Sequence, residues 1–107
     1  MHDDWRELVL NGTTSVKEAL RQMDLAWLKI LFVVDEDDLL LGSLTDGDIR
    51  RALISEFNLD SDVSGIMNRD PVYAEVGSPP EYYSDKMIEE EISVIPIVQK
   101  GQLVGIE

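Results

Sequence analysis

The sequence predicts an α/β fold of the α+β type, made of two β-α-β-β-α repeats whose helices pack on one face of small sheets. Three observations predict it. Similar patterns recur 64 positions apart, each copy has a helix-spaced apolar face before two short apolar runs, and an acidic or glycine turn separates those runs.

The repeat shows in three alignments. "TTSVKEALRQM" (Thr13 to Met23) lies opposite "GSPPEYYSDKM" (Gly77 to Met87), and "LKILFVVD" (Leu28 to Asp35) opposite "ISVIPIVQ" (Ile92 to Gln99). "DEDDLLLGSL" (Asp35 to Leu44) then runs parallel to "QKGQLVGIE" (Gln99 to Glu107), with one residue fewer in the second turn. Identity is slight, but the order of patterns agrees, which marks two copies of one supersecondary unit that bury a face against each other. Residues 1–62 form the first repeat and 63–107 the second.

Each element has a local reason. Val16, Leu20 and Met23 recur at helical spacing, with Glu18, Arg21 and Gln22 on the opposite face. Thr14 or Ser15 caps that helix, and Glu18 stands where a capping-box acid follows Ser15. "ILFVV" and "LLLG" flank "DEDD" and read as a hairpin covered on both faces. After Thr45, Ile49, Ala52 and Leu53 give the next helix one apolar side. "SEFNLDSDVSG" is a polar connection, Ile66-Met67 anchors the entry to the second repeat, and Pro71 starts its first strand. That repeat stops at Glu107, opposite Leu44, so the chain reads as part of a longer protein, with the second repeat lacking its last helix.

Composition narrows the function. Of 107 residues 44% are hydrophobic, enough to bury a core, and no cysteine is present, which fits a reducing cytoplasm and removes thiolate chemistry. No apolar run approaches the roughly 18 residues of a membrane span, and "MHDDWREL" lacks a signal-peptide pattern. With 9 basic and 22 acidic residues the formal net charge is −13, a field that repels nucleic acid and anionic lipid. Any nucleotide must bind where backbone amides and a few arginines overcome that field. "DEDD" lacks the spacing of an EF-hand and reads as a solvated turn, and a single histidine, His2, leaves no material for a triad or zinc site. Trp27, Tyr82 and Tyr83 read as core or interface residues. Glu89-Glu90-Glu91 opposes the dipole at the end of its helix, through plain exposure or to meet a basic partner.

The stretch "LLGSLTDGDIRRAL" (Leu40 to Leu53) carries the densest chemistry. Thr45 followed three residues on by Asp48 resembles a capping box, and Asp46 and Asp48 suit the helix dipole. The same group sits at the mouth of a cleft between the two repeats, where a ligand-binding role is equally open.

Two such repeats, with "GSLTDGDIRRAL" closing the first, resemble a tandem pair of cystathionine-β-synthase (CBS) domains, the Bateman module. The resemblance covers the chain from about Trp5 onward. Its most specific part is Gly42 to Asp48, supported by "VVDEDDLLLG", "IMNRDPVYAEVGS" and "IPIVQKGQLVGI". It implies an adenine nucleotide such as AMP, ADP or ATP, or sometimes S-adenosylmethionine, held between the repeats. It also implies a homodimer through the CBS pairs and regulation of an attached catalytic domain. The wording is most similar to the pair preceding sugar-phosphate nucleotidyltransferase domains, with the pair of arabinose-5-phosphate isomerases as alternative, or a dimerisation module that holds no ligand. Nothing resembles a nucleophile–base pair, so the chain itself reads as regulatory and not as an enzyme.

Residue by residue, the resemblance gives Asp48 the ribose hydroxyls, and Thr45 with the free amides of the helix start an α-phosphate. Gly47 admits close backbone approach, and Asp46 shares the same turn. Backbone groups near Ile30 and Leu31 read the adenine edge, Thr13 or Thr14 lies beside the ligand, and Arg50 and Arg51 reach later phosphates or offset nearby acids. The Thr and Asp counterparts of the second site fall beyond Glu107, while Val72, Tyr73, Ala74, Val94 and Ile95 read as packing.

Overall fold

The computed structural model describes residues 5–26 and 28–107, so His2 and Trp27 lie outside the described residues. A short 3-10 turn, Trp5–Leu8, leads into β1 (Val9–Asn11), α1 (Val16–Leu25), β2 (Ile30–Val34), β3 (Leu40–Thr45) and α2 (Asp46–Ile54). A second 3-10 turn, Val63–Gly65, precedes β4 (Ala74–Glu75), α3 (Pro80–Glu89), β5 (Pro96–Gln99) and β6 (Gln102–Ile106). The strands form two three-stranded sheets, β1-β2-β3 and β4-β5-β6.

The repeat is accurate to the residue in its first half. α1 and α3 are offset by 64 at both ends. β1 runs parallel to β2 with Leu10 opposite Val33, and β4 runs parallel to β5 with Ala74 opposite Ile97, again offset by 64. Both hairpins are antiparallel and slip register at the same place. Val33 faces Gly42 and Val34 faces Leu40, just as Ile97 faces Gly105 and Val98 faces Leu103. A bulge of this kind bends a strand and strengthens its twist.

Ser15 caps α1, its Oγ accepting the Glu18 N–H at 3.1 Å. The reciprocal half of a capping box is not made there, because the Glu18 carboxylate pairs with Arg21. Gln22, expected on the solvated face, instead donates from Nε2 to the carbonyls of Glu7 (3.1 Å) and Val9 (2.8 Å) and ties α1 to the start of β1. Asp35 organises the acidic turn, its Oδ1 accepting the N–H groups of Asp37 (2.8 Å) and Leu39 (3.0 Å). The expected strand start at Pro71 moves to Ala74, where ladder pairing begins. Pro71 has no N–H to give to a ladder.

One core joins the repeats. Leu8, Phe32, Leu44 and Ile49 of the first are buried in the same cluster as Val94, Leu103 and Ile106 of the second. β2 is buried from Leu31 to Val34, so both of its faces are covered, whereas Leu40 and Leu41 on β3 are half-buried and Leu39 is exposed. A smaller cluster of Ala74, Ile95 and Ile97 is closed by Tyr83 and Met87 from α3, while Tyr82 stays exposed.

Backbone bonds hold the two units together at the hairpin end. Leu40 N–H donates to Gly101 O (2.9 Å) and Leu103 N–H to Asp38 O (2.8 Å), and Asn68 and Ser43 exchange both of their bonds. The linker folds back on the first repeat, with Val16 N–H donating to Ser61 O (2.9 Å) and Val63 N–H to Thr14 O (2.8 Å). Among the described residues no helix is long and apolar enough to cross a membrane.

Candidate functional site

The turn from β3 into α2 makes the capping box. Thr45 Oγ1 accepts the Asp48 N–H at 3.1 Å, and Asp48 Oδ2 accepts the Thr45 N–H at 2.9 Å. The other carboxylate oxygen, Oδ1, accepts from Arg51 Nη2 at 2.7 Å. Asp48 is thereby held by three bonds to two residues of its own turn and helix, Thr45 and Arg51, with its side chain only 16% exposed. Asp46 points elsewhere and pairs with Arg50 at the surface. Both arginines therefore offset neighbouring acids.

β2 carries this turn to the boundary between the repeats. Ile30 pairs with Thr45 across the ladder, and the Asp46 N–H donates to Lys29 O at 3.4 Å. Residues 28–30 and 92–94, which are 64 apart, face one another across a hollow of about 210 Å³. This is the groove between repeats, lined by the same three positions of each copy. Leu28, Ile30, Ile92 and Val94 make it mainly apolar, with Lys29 and Ser93 at its exposed rim. Leu31, by contrast, is fully buried opposite Leu44, backbone included, so the adenine contact expected there is not open in this arrangement.

The remaining candidates separate. Asp46 and Lys29 line a hollow of about 340 Å³ with Leu20, Arg21 and Asp24 of α1. Thr14 opens onto a third hollow beside α1, of about 720 Å³, which also contains Arg21. Thr13 faces neither, its N–H and hydroxyl both donating to Asn11 Oδ1 at 2.9 and 2.8 Å. Gly47 supports the fold-back of Arg51, since a Cβ there would lie 3.3 Å from Arg51 Nη1 and 3.7 Å from Thr45 Oγ1. The structure thus brings together Ile30, Thr45, Gly47, Asp48 and Arg51, leaves Thr13 and Thr14 apart, and directs Asp46 and Arg50 to a neighbouring face. Lys29 was missed by sequence reasoning, although it is the counterpart of Ser93 in the repeat and lines both the groove and the adjoining hollow.

Among the described residues no group of three or more acidic or histidine side chains is placed to hold a metal ion. The groove offers apolar walls suited to a flat ring, while the Thr45–Asp48 turn stands beside it without lining it, its carboxylate bonded to the Thr45 N–H and to Arg51.

Known proteins give the same picture. The CBS domain model matches twice, at residues 5–55 and 63–106. A CBS domain-containing protein of Arabidopsis thaliana, CBSCBSPB1, is 27% identical over 103 residues, covering 94% of this chain and 19% of its own length. The arabinose 5-phosphate isomerase GutQ of Salmonella typhi is 29% identical over 93 residues, covering 86% of this chain and 29% of its own. The chain spans about a fifth to a third of the length of these curated relatives. The solved structure of CBSX2 in complex with AMP superposes with a TM-score of 0.80 at 25% identity, covering 95% of this chain and 81% of that one. Two matched segments on two structurally equivalent halves leave one conclusion: the chain belongs to the CBS domain family, as a tandem pair.

Proposed function

We propose that this CBS pair is a regulatory module that binds an adenine nucleotide in the groove between its repeats. The observation that carries the reading is the ladder pair between Ile30 and Thr45, which puts the Thr45–Asp48 turn against residues lining the groove. The AMP-bound relative, similar over 95% of this chain, supports the same ligand class. In this reading Asp48 accepts the ribose hydroxyls, Thr45 and the α2 amides hold the phosphate, and Ile30 and Val94 flank the base.

A volume of about 210 Å³ is below the ~300 Å³ at which small-molecule sites usually begin. Nucleotide binding therefore goes with opening of the groove. The repeats are bonded at the hairpin end, through Leu40, Gly101, Asp38 and Leu103, and meet at the groove through apolar side chains. The soft end is the one that widens. A ligand that prefers the wider arrangement shifts the angle between repeats, which is how occupancy reaches an attached domain. The repeats divide at residues 62 and 63, the assembly is a homodimer in the cytoplasm, and the attached catalytic domain lies C-terminal to this pair. A sugar-phosphate nucleotidyltransferase is the parent on the wording of the sequence. The GutQ similarity favours an arabinose-5-phosphate isomerase as the second reading.

Titration calorimetry with AMP, ATP, S-adenosylmethionine and GTP tests the proposal. Adenine nucleotide binding is expected, weakened by about 1.5–3 kcal/mol in Asp48→Ala, the scale for hydrogen bonds to a charged group. A folded protein that binds none of them leaves only the dimerisation role.

A further inference from the structure

Asp48 has two carboxylate oxygens, and both are engaged. Oδ2 holds the Thr45 N–H at 2.9 Å and Oδ1 holds Arg51 Nη2 at 2.7 Å. Each oxygen keeps a second lone pair, but the side chain is only 16% exposed with Arg51 across Oδ1, so a ribose diol that takes both oxygens meets the guanidinium there. Arg51 is suited to being displaced: its side chain is 71% exposed, and it forms a single-ended pair within one helix. Its guanidinium folds over the first turn of α2, 3.3–3.6 Å from where a Cβ of residue 47 would stand, and Thr45 Oγ1 is 3.7 Å from that same point. It therefore lies beside the place where an anion at the helix start would sit.

Resting on the nucleotide reading above, we propose that Arg51 is a specificity-determining latch that makes the site prefer nucleotides to nucleosides. A neutral nucleoside must displace the guanidinium from Asp48 and offers it nothing in return. A nucleotide takes the carboxylate with its diol and receives the guanidinium on its phosphate, so one ion pair is exchanged for another. In a chain of formal net charge −13 that exchange matters, because the phosphate otherwise enters a field of carboxylates. Exposed pairs of this kind contribute about 0.2–1 kcal/mol. Converted at 1.4 kcal/mol per tenfold, the latch weakens nucleoside binding by up to about five-fold.

The test is calorimetric titration of wild type and Arg51→Ala with adenosine and with AMP. Adenosine is expected to bind two- to five-fold tighter to Arg51→Ala, and the preference for AMP over adenosine is expected to shrink. Equal or weaker adenosine binding by the variant overturns the latch and leaves the nucleotide reading standing. Failure of both proteins to bind either ligand overturns that reading and the latch with it. Thermal unfolding of Arg51→Ala, Asp48→Ala and the double variant gives a readout free of ligand: losses that simply add show that the pair is not coupled, and the latch falls whatever binds.

Discussion

α1 and α3 occupy equivalent positions 64 residues apart, begin and end in step, and stand between strands of matching register. Yet α1 buries Val16, Ala19 and Met23, whereas α3 buries nothing completely. α1 has a side-chain cap, two Gln22 bonds to the backbone before it, and α2 and the linker as neighbours. α3 begins on Pro79 without a side-chain cap and rests on the small cluster of Ala74, Ile95 and Ile97. One supersecondary unit thus yields two helices of unequal security, because a helix of this length draws most of its stability from what packs on it.

Met23 and Met87 are counterparts in the repeat, which makes them the sharpest probes. Met23 is 3% exposed in the main core, so Met23→Ala should cost about 2–5 kcal/mol. Met87 is half-buried at the edge of the small cluster, and Met87→Ala should cost about 1 kcal/mol. Urea denaturation followed by circular dichroism measures both, and equal losses would erase the difference between the helices. Amide exchange across α3 should also be faster than across α1.

The next largest effect concerns the seam between repeats. A Cβ on Gly42 would lie 2.5 Å from the Asn68 carbonyl oxygen and 2.9 Å from Met67 Sδ. Gly42→Ala must therefore push the entry of the second repeat off β3, breaking the exchange of bonds between Ser43 and Asn68. A loss of about 1–3 kcal/mol is expected in the same denaturation experiment. If unfolding stays fully cooperative with no loss, the close approach is not what joins the halves.

Much of this was legible in the sequence because it is local. The helical spacing of Val16 and Met23, the Thr45 to Asp48 interval and the 64-residue offset all mark features made by neighbours in the chain. What stayed hidden involves partners far away. Gln22 looks solvated by type, and only the fold shows its amide bonding carbonyls 13 and 15 residues back. Leu40 and Gly101 pair through backbone alone, which leaves no trace in side-chain pattern. At the candidate site the cap and the groove position of Ile30 could be read, but the closure of Asp48 by Arg51 depends on a rotamer folded over Gly47. The separation of Thr13 and Thr14 from that turn likewise follows from Asn11 and the α1 hollow, not from spacing.

Caps separate the two repeats by a smaller margin. Thr45→Ala removes one half of the capping box of α2 and should cost about 1 kcal/mol, visible as a lowered thermal midpoint. Ser15→Ala should behave alike at α1, since its Oγ accepts a single N–H in the same way. A Thr45 variant as stable as wild type would mean that Asp48 alone fixes the turn.

The smallest effect belongs to the far end of α3. Glu89 closes the helix, Glu90 follows as its C-cap and Glu91 adjoins with a φ of 56°, so three acids stand at the negative pole with Lys86 the basic residue of the last turn. Lys86 lies 3.9 Å from Glu90, at the outer limit of an ion pair. Replacing an exposed acid with a base at a helix C-terminus should relieve repulsion from the dipole, so Glu89→Lys is expected to stabilise by about 0.3–1 kcal/mol at low salt. The gain should fade as ionic strength rises and the charges are screened. A gain that persists in high salt would show that it does not come from relieving the repulsion at the negative pole of α3.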